Sequence, residues 1–172
     1  MSKNKIEMVV IVDKNDKIIG YKDRNHLAKN DINRVSGLWI TNSRGEILLA
    51  KRHRNKLHSP GKWQPGVAGT VNQGETYRKN IIKEAEEELG LKIIKPIISP
   101  KTKMNVYHHH FTQWYMLKID KAIDEFTIQK DETEKIKWFS SKELKKELKE
   151  HPEKFTPNLV GRLKIFSKLL KK

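Results

Sequence analysis

Residues 69–91, GTVNQGETYRKNIIKEAEEELGL, crowd Glu84, Glu86, Glu87 and Glu88 into five consecutive positions at the end of an apolar-periodic segment. Tyr77, Ile81, Ala85 and Leu89 recur at four-residue spacing with Ile82 beside them, which predicts a helix over Thr76–Leu89. Gly90 stands where such a helix stops. On this helix Glu84 and Glu88 form an i,i+4 pair and Glu84 and Glu87 an i,i+3 pair, while Glu86 lies about 200° around from Glu84. Like charges so spaced destabilise a helix by about 0.2–0.5 kcal/mol per pair. They also occupy the last two turns, where the helix dipole favours cations. Three carboxylates therefore share one face at the unfavourable end. A divalent cation reverses the sign of that repulsion, and oxygen-only ligands suit Mg2+ or Mn2+.

An acidic run alone is ordinarily a solvated helix face. This one is preceded by Gly69, Gly74 and Glu75 in a turn-rich loop, and the loop by VSGLWITNSRGEILLAKR. That stretch reads as a hairpin, Val35–Thr41 and Glu46–Arg52 around a turn at Asn42–Gly45. A strand, a glycine loop and a carboxylate helix in succession are the parts of a site.

The remaining elements follow from periodicity. Ile6–Asp13 and Lys17–Tyr21 read as a hairpin around Lys14-Asn15-Asp16, and His26–Ile32 as a short helix or loop. Residues 53–66 read as a Pro- and Gly-rich loop, Val67–Val71 as a short strand, and Leu91–Ile98 as irregular chain or strand. Asn105–Ile119 reads as a long strand and Lys135–Phe139 as the last one. Ser141 is expected to cap a helix through Glu150, and Leu159, Leu163, Phe166 and Leu170 stripe a final helix over Pro157–Lys171. Mixed strands with a helix between them predict an α/β sandwich.

The spacing Gly69, five residues, Glu75, seven residues, Lys83-Glu84-Ala85-x-Glu87-Glu88-x-Gly90-Leu91 resembles the Nudix box. The family's arginine is replaced by Lys83, which keeps the charge but not the planar fork. The resemblance extends over nearly the whole chain. IVDKNDKIIGYKDRNHLAKN, ILLAKRHRNKLHSPGKWQPGVAGTVNQGE and FTIQKDETEKIKWFSSKEL are similar to the isopentenyl-diphosphate-isomerase-like branch, which holds both isomerases and diphosphate hydrolases. The resemblance implies the Nudix fold, an α+β architecture with a curved mixed sheet between helices. A β-hairpin extension at 1–34 would precede a Nudix domain at 35–172, with the box at 69–91 and C-terminal helices at 141–172.

It also implies a chemistry. Glu84, Glu87 and Glu88, with the Gly69 carbonyl, would hold Mg2+ or Mn2+; Glu75 and Lys83 would orient them, and Gly90 would end the helix. The isomerases of the branch carry a cysteine at the position of Ala68, a histidine at that of Thr70 and a metal histidine at that of Asn33. Without the cysteine, proton transfer on opposite faces of an allylic diphosphate lacks a partner. The implied activity is hydrolysis of a diphosphate in a nucleoside diphosphate linked to another group, with isomerisation of isopentenyl diphosphate and an RNA-directed or non-catalytic module as alternatives. The general base is a box glutamate or Glu132. Arg52 and Lys51, with Arg54 after them, are candidates for substrate phosphates, and Trp63 for a substrate contact.

Composition sets the remaining limits. No cysteine is present, which excludes disulfides, thiolate metal sites and a cysteine nucleophile, and points to a reducing cytoplasm. The apolar run near the N-terminus is too short for a signal peptide or membrane span. The net charge of +15 attracts anions, yet the basic residues are spread along the chain and no motif indicates nucleic-acid binding. A small diphosphate is the expected partner, no membrane is, and a homodimer is compatible with the sequence. His108-His109-His110 place two imidazoles on one strand face without a third ligand. Trp39, Trp63, Trp114 and Trp138 are expected in the core or cleft wall.

Overall fold

The computed structural model of the chain describes residues 6–104, 109–157, 159 and 163. Among these, one mixed sheet is built from Met8–Val12 (β1), Ile18–Asp23 (β2), Ile32–Thr41 (β3), Ile47–Arg52 (β4), Trp63–Pro65 (β5), Val67–Thr70 (β6), Ile97–Met104 (β7), His109–Lys118 (β8) and Thr133–Phe139 (β9). The helices Tyr77–Leu89 (α1) and Ser141–Glu150 (α2) cover it.

β3 organises the sheet. It pairs in parallel with β8 along its whole length, antiparallel with β6 over Val35–Leu38, and antiparallel with β1 at its start. Alternating side chains sort into two cores because successive residues of a strand face opposite ways. Leu38 and Ile40 of β3 and Leu48 and Ala50 of β4 meet Ile81, Ala85 and Leu89 of α1. Trp39, Ile47 and Leu49 meet Leu144 of α2 with Trp63, Phe139, Phe155 and Leu159. Each aliphatic fully buried in this way contributes roughly 1.5–3 kcal/mol. The structure is thus an α+β sheet between helices, as the sequence predicts.

Several boundaries differ from expectation. The second hairpin closes only at Thr41 and Ile47; beyond that pair β4 leaves β3 for β5 and β9. Residues 53–66 contain β5, which pairs with β4. Ile97–Met104 is a full edge strand despite Pro100, because the ladder to β8 is irregular between Ile98 and Lys101 and needs no N–H there. The long strand expected over 105–119 begins at His109 among the described residues. A 3-10 turn falls at Arg24–His26, capped by Asp23, and the cap of α2 is Ser140 rather than Ser141, with Ser140 Oγ accepting from Glu143 N at 3.1 Å. The final helix lies mostly outside the described residues; Leu159 and Leu163 pack on the second core.

The N-terminal hairpin is joined to the rest through its turn. Asp16 sits in the left-handed region at φ 64°, which Asp and Asn tolerate better than most residues. Its carboxylate accepts from Arg34 Nε at 2.7 Å, from Tyr77 Oη at 3.0 Å and from Lys101 Nζ. Arg34 and Lys101 also stand over the Tyr77 ring, 5.0 and 4.9 Å from its centroid. Burial alone would raise the Asp16 pKa; these hydrogen bonds outweigh it and hold the carboxyl below its usual range. Asp16→Asn is expected to destabilise the protein by about 1–3 kcal/mol at neutral pH. The gap from the wild type should be complete above the ordinary aspartate value of 3.8 and shrink as pH falls through the lowered folded value. Urea unfolding of both proteins across that range measures it.

Candidate active site

The glycine loop and α1 are locked together by a buried amide that sequence reasoning did not single out. Asn80 is fully buried. Its side-chain nitrogen faces the Thr70 carbonyl at 3.0 Å, Glu75 Oε2 at 2.8 Å and Glu84 Oε1 at 3.2 Å, while its oxygen accepts from Ser36 Oγ. The one available signal is its place, a polar residue next to Ile81 on the face that meets the sheet. Glu75 also accepts from Asn72 N at 3.0 Å and from Lys83 Nζ at 3.1 Å. Burial works against the charge on Glu75, but the backbone, amide and ammonium donors together keep its pKa below the usual value. Lys83 stands 3.9 Å from Glu84 as well, so a lysine at this position ties loop to helix with a single point charge.

Gly69 has no room for a side chain. A methyl group there would stand within 2.6 Å of the Glu84 carboxylate oxygen. The β6 backbone and the Glu84 carboxylate are therefore in direct contact. Burial raises the pKa of Glu84; Glu87 and Glu75 push the same way, against Lys83 and Asn80.

One turn further, Glu88 is only 7% exposed. Burial raises its pKa well above the ordinary value, and Glu84 and Glu132 raise it further, against Arg52 and Lys56. Among the described residues no hydrogen-bond donor or ion-pair partner reaches its carboxylate. Helix α1 has no basic residue in its last turn to offset this charge.

Glu132 comes from the chain after α1. Gly90 takes a left-handed conformation at φ 67°, and a Cβ on it would collide with Thr127. The missing side chain lets residues 127–132 close over the helix end. Thr127 N donates to Leu89 O at 3.3 Å and Gln129 N to Glu88 O at 3.1 Å, capping carbonyls that α1 leaves open. The Glu132 carboxylate is bound by Lys56 Nζ at 2.6 Å, and its carbonyl accepts from His53 N at 2.8 Å. Lys56 is the second residue that the sequence did not point to.

The other candidates divide. Arg52 faces Glu88 and Glu132 electrostatically and is anchored by His58 O at 2.9 Å and Gln64 Oε1 at 2.8 Å. Lys51 and Arg54 both hold Glu134, each at 2.9 Å. Glu87 is exposed. Trp63, expected in the core or cleft wall and a candidate for a substrate contact, is buried edge-on to Phe139 at 5.1 Å between centroids, in the core beneath α2. His109 and His110 open β8 opposite Ile32 and Asn33; His108 lies outside the described residues.

Among the described residues no three acidic or imidazole side chains already converge as a finished metal cage. Magnesium does not require one, since it keeps several waters and is held through one or two carboxylates. The donor chemistry fits such an ion: Glu84 against the β6 backbone, with the unpartnered, buried Glu88 one turn on.

The NUDIX domain family model matches residues 32–159. The chain belongs to the Nudix family. It is an enzyme of the Nudix hydrolase type. An uncharacterised Nudix hydrolase of Listeria monocytogenes, lmo0368, is 28% identical over 120 residues, 69% of each chain. Prenyl-diphosphate phosphatase of Methanosarcina mazei is 28% identical over 165 residues, 92% of this chain and 95% of that protein. Isopentenyl-diphosphate Delta-isomerase of Salmonella heidelberg is 33% identical over 89 residues, 51% of this chain and 49% of the isomerase. The fold is shared with DR0079 from Deinococcus radiodurans at a TM-score of 0.80 and 21% identity, covering 92% of this chain and 98% of that one. Among the described residues no helix is long and apolar enough to cross a membrane.

Two outcomes follow from this geometry. Gly69→Ala should destabilise by about 1–3 kcal/mol, and adding Glu84→Ala should recover part of that loss, because the obstructing carboxylate is gone; a double-mutant cycle by chemical denaturation reads the coupling. Glu88→Gln should raise the unfolding midpoint in EDTA at neutral pH. A carboxyl whose folded pKa is raised makes its full contribution to stability below its unfolded value. That contribution is lost as pH rises through the folded pKa. The variant should lack this slope.

Proposed function

We propose that this chain is a divalent-metal-dependent hydrolase that cleaves the diphosphate linkage of a nucleoside diphosphate joined to another group. The observation that carries this reading is the gathering of Glu84, Glu88 and Glu132 at one helix end, with Arg52 and Lys56 beside them. A magnesium or manganese ion held by Glu84, Glu87, Glu88 and the Gly69 carbonyl would neutralise charge on the diphosphate and acidify water.

The chain's own residues supply the rest. Glu132 or a box glutamate takes the proton from the attacking water. Of these, Glu132 is the carboxylate whose position is set by an ion pair, with Lys56, rather than by the box. Attack at phosphorus forms a P–O bond to water oxygen and breaks the bridging P–O bond, releasing two phosphate-bearing products. Arg52, anchored from behind by His58 and Gln64, directs its charge toward the phosphate oxygens. Glu75, Asn80 and Lys83 hold the loop and helix in register, so that Glu84 stays against Gly69.

A second reading, a prenyl diphosphate as substrate, is favoured by the relative whose similarity spans 92% of this chain, the N-terminal hairpin included. Isomerisation is disfavoured by Ala68, which offers no proton-transferring group. A purely binding module has no use for a buried, unpaired carboxylate.

A panel of nucleoside diphosphate derivatives, nucleotide sugars, dinucleoside polyphosphates, capped RNA, prenyl diphosphates and isopentenyl diphosphate, assayed with Mg2+ for release of phosphate-bearing products and for double-bond migration, tests these readings. Turnover of a nucleoside diphosphate derivative is the expected result. Glu87→Gln and Glu88→Gln should each lower it by about a hundredfold or more while the fold is kept. Release from the prenyl compound alone would move the assignment to the second reading. Double-bond migration without release would overturn both.

A further inference from the structure

Between the end of β4 and the start of β9 lies a cavity of about 550 Å³ whose lining includes no residue of the box and none of the groups to which the proposed hydrolysis assigns a step. It is lined on one side by Lys51, His53 and Arg54, which end and follow β4, and on the other by Lys130, Glu134 and Lys135, which precede and begin β9. Among the described residues, four permanent cations thus face a single carboxylate. Glu134 is already shared between Lys51 and Arg54, and those two partners hold its pKa down to about 2. Among the described residues neither Lys130 nor Lys135 has a carboxylate partner; Lys135 Nζ stands 5.8 Å from the centroid of the Trp63 ring, which is neutral, so the wall they form keeps its positive charge.

The cavity is tied to the candidate active site by the backbone. His53, in its wall, donates to the carbonyl of Glu132, whose side chain faces Glu88. Arg52, next to His53, points to the carboxylate side. Successive residues of β4 face opposite ways, so Lys51 and Arg52 serve different sides of the strand end, and the ladder to β9 skips Glu134 there. An anion held in the cavity would stand one strand-end away from the scissile group.

We propose that this cavity is a second anion site, built to take a phosphate group through Lys51, Arg54, Lys130 and Lys135. A phosphate carries about −1.5 to −2 charges and three acceptor oxygens, which matches several converging ammonium and guanidinium donors with Glu134 fixing the orientation of two of them. The phosphate could come from the far end of a substrate with more than one phosphate group or from free inorganic phosphate. Its assignment to the substrate rests on the hydrolase reading above; the site itself does not.

Binding of inorganic phosphate and inorganic triphosphate to the full chain in EDTA, by calorimetry at fixed ionic strength, is the test. Lys130→Ala/Lys135→Ala should weaken triphosphate binding at least tenfold, and Lys142→Ala/Lys145→Ala, which removes the same charge from α2, by less than twofold. Equal weakening by both pairs, or no binding by the wild type, would overturn the proposal. No catalysis is needed for this reading, so it stays distinct from a failure to hydrolyse diphosphates. With an active enzyme the source is separable. A KM that rises in Lys130→Ala/Lys135→Ala only for substrates with an additional terminal phosphate, at unchanged kcat, assigns the site to substrate. Loss of inorganic-phosphate binding with every KM unchanged assigns it to the free anion.

Discussion

The site depends on how α1 seats on the sheet. Ile81, Ala85 and Leu89 fix the rotation of the helix by filling the core beneath it. Once that stripe faces the sheet, Glu84 must lie against β6 and Glu88 must turn inward at the helix end. The contact closes only because residue 69 has no side chain, and it holds its register because Asn80 bridges Thr70, Glu75 and Glu84 at once. Apolar packing thereby forces negative charge into a place where the protein alone does not balance it. The stability that the core supplies is what makes that arrangement tolerable.

Much of this was legible in the sequence. The four-residue spacing from Tyr77 to Leu89 predicts the helix, and its acidic face predicts which carboxylates turn toward β6 and the helix end. Gly69 and Gly90 were placed by pattern, but their reasons are spatial: one accommodates Glu84, the other Thr127. A single sequence carries no trace of such close approaches except the glycine itself. Asn80 and Lys56 went unnoticed because their value comes from partners distant along the chain, in β3 and β6 for one and before β9 for the other. Trp63 answers the expectation of a core or cleft-wall tryptophan, and the element that puts it there, the pairing of β5 with β4, is hidden in a stretch whose Pro and Gly content reads as loop.

The strand errors have one physical source. Edge strands such as β7 need not show the alternation of a half-buried strand, and Ile97 and Ile98 are in fact exposed. The hairpin at Asn42–Gly45 is correct at its turn, where local chemistry decides. It fails beyond, where β8 and β6 compete for β3 and β9 and β5 for β4. Local signals settle turns and caps, whereas neighbours in a mixed sheet are settled by the whole molecule.

The Asp16 clamp changes where a working unit can be said to start. The similarity to the family model opens at residue 32, yet β1 is laced to β3 and to Val71, and its turn grips α1 through Tyr77. Excising the segment before Ile32 would strip a border from the sheet, bare the open flank of β3 to other chains, and leave Arg34 and Lys101 crowding each other without their shared counterion. A boundary drawn at residue 32 would in this molecule cut across the contacts that join β1 and its turn to β3, Val71 and Tyr77.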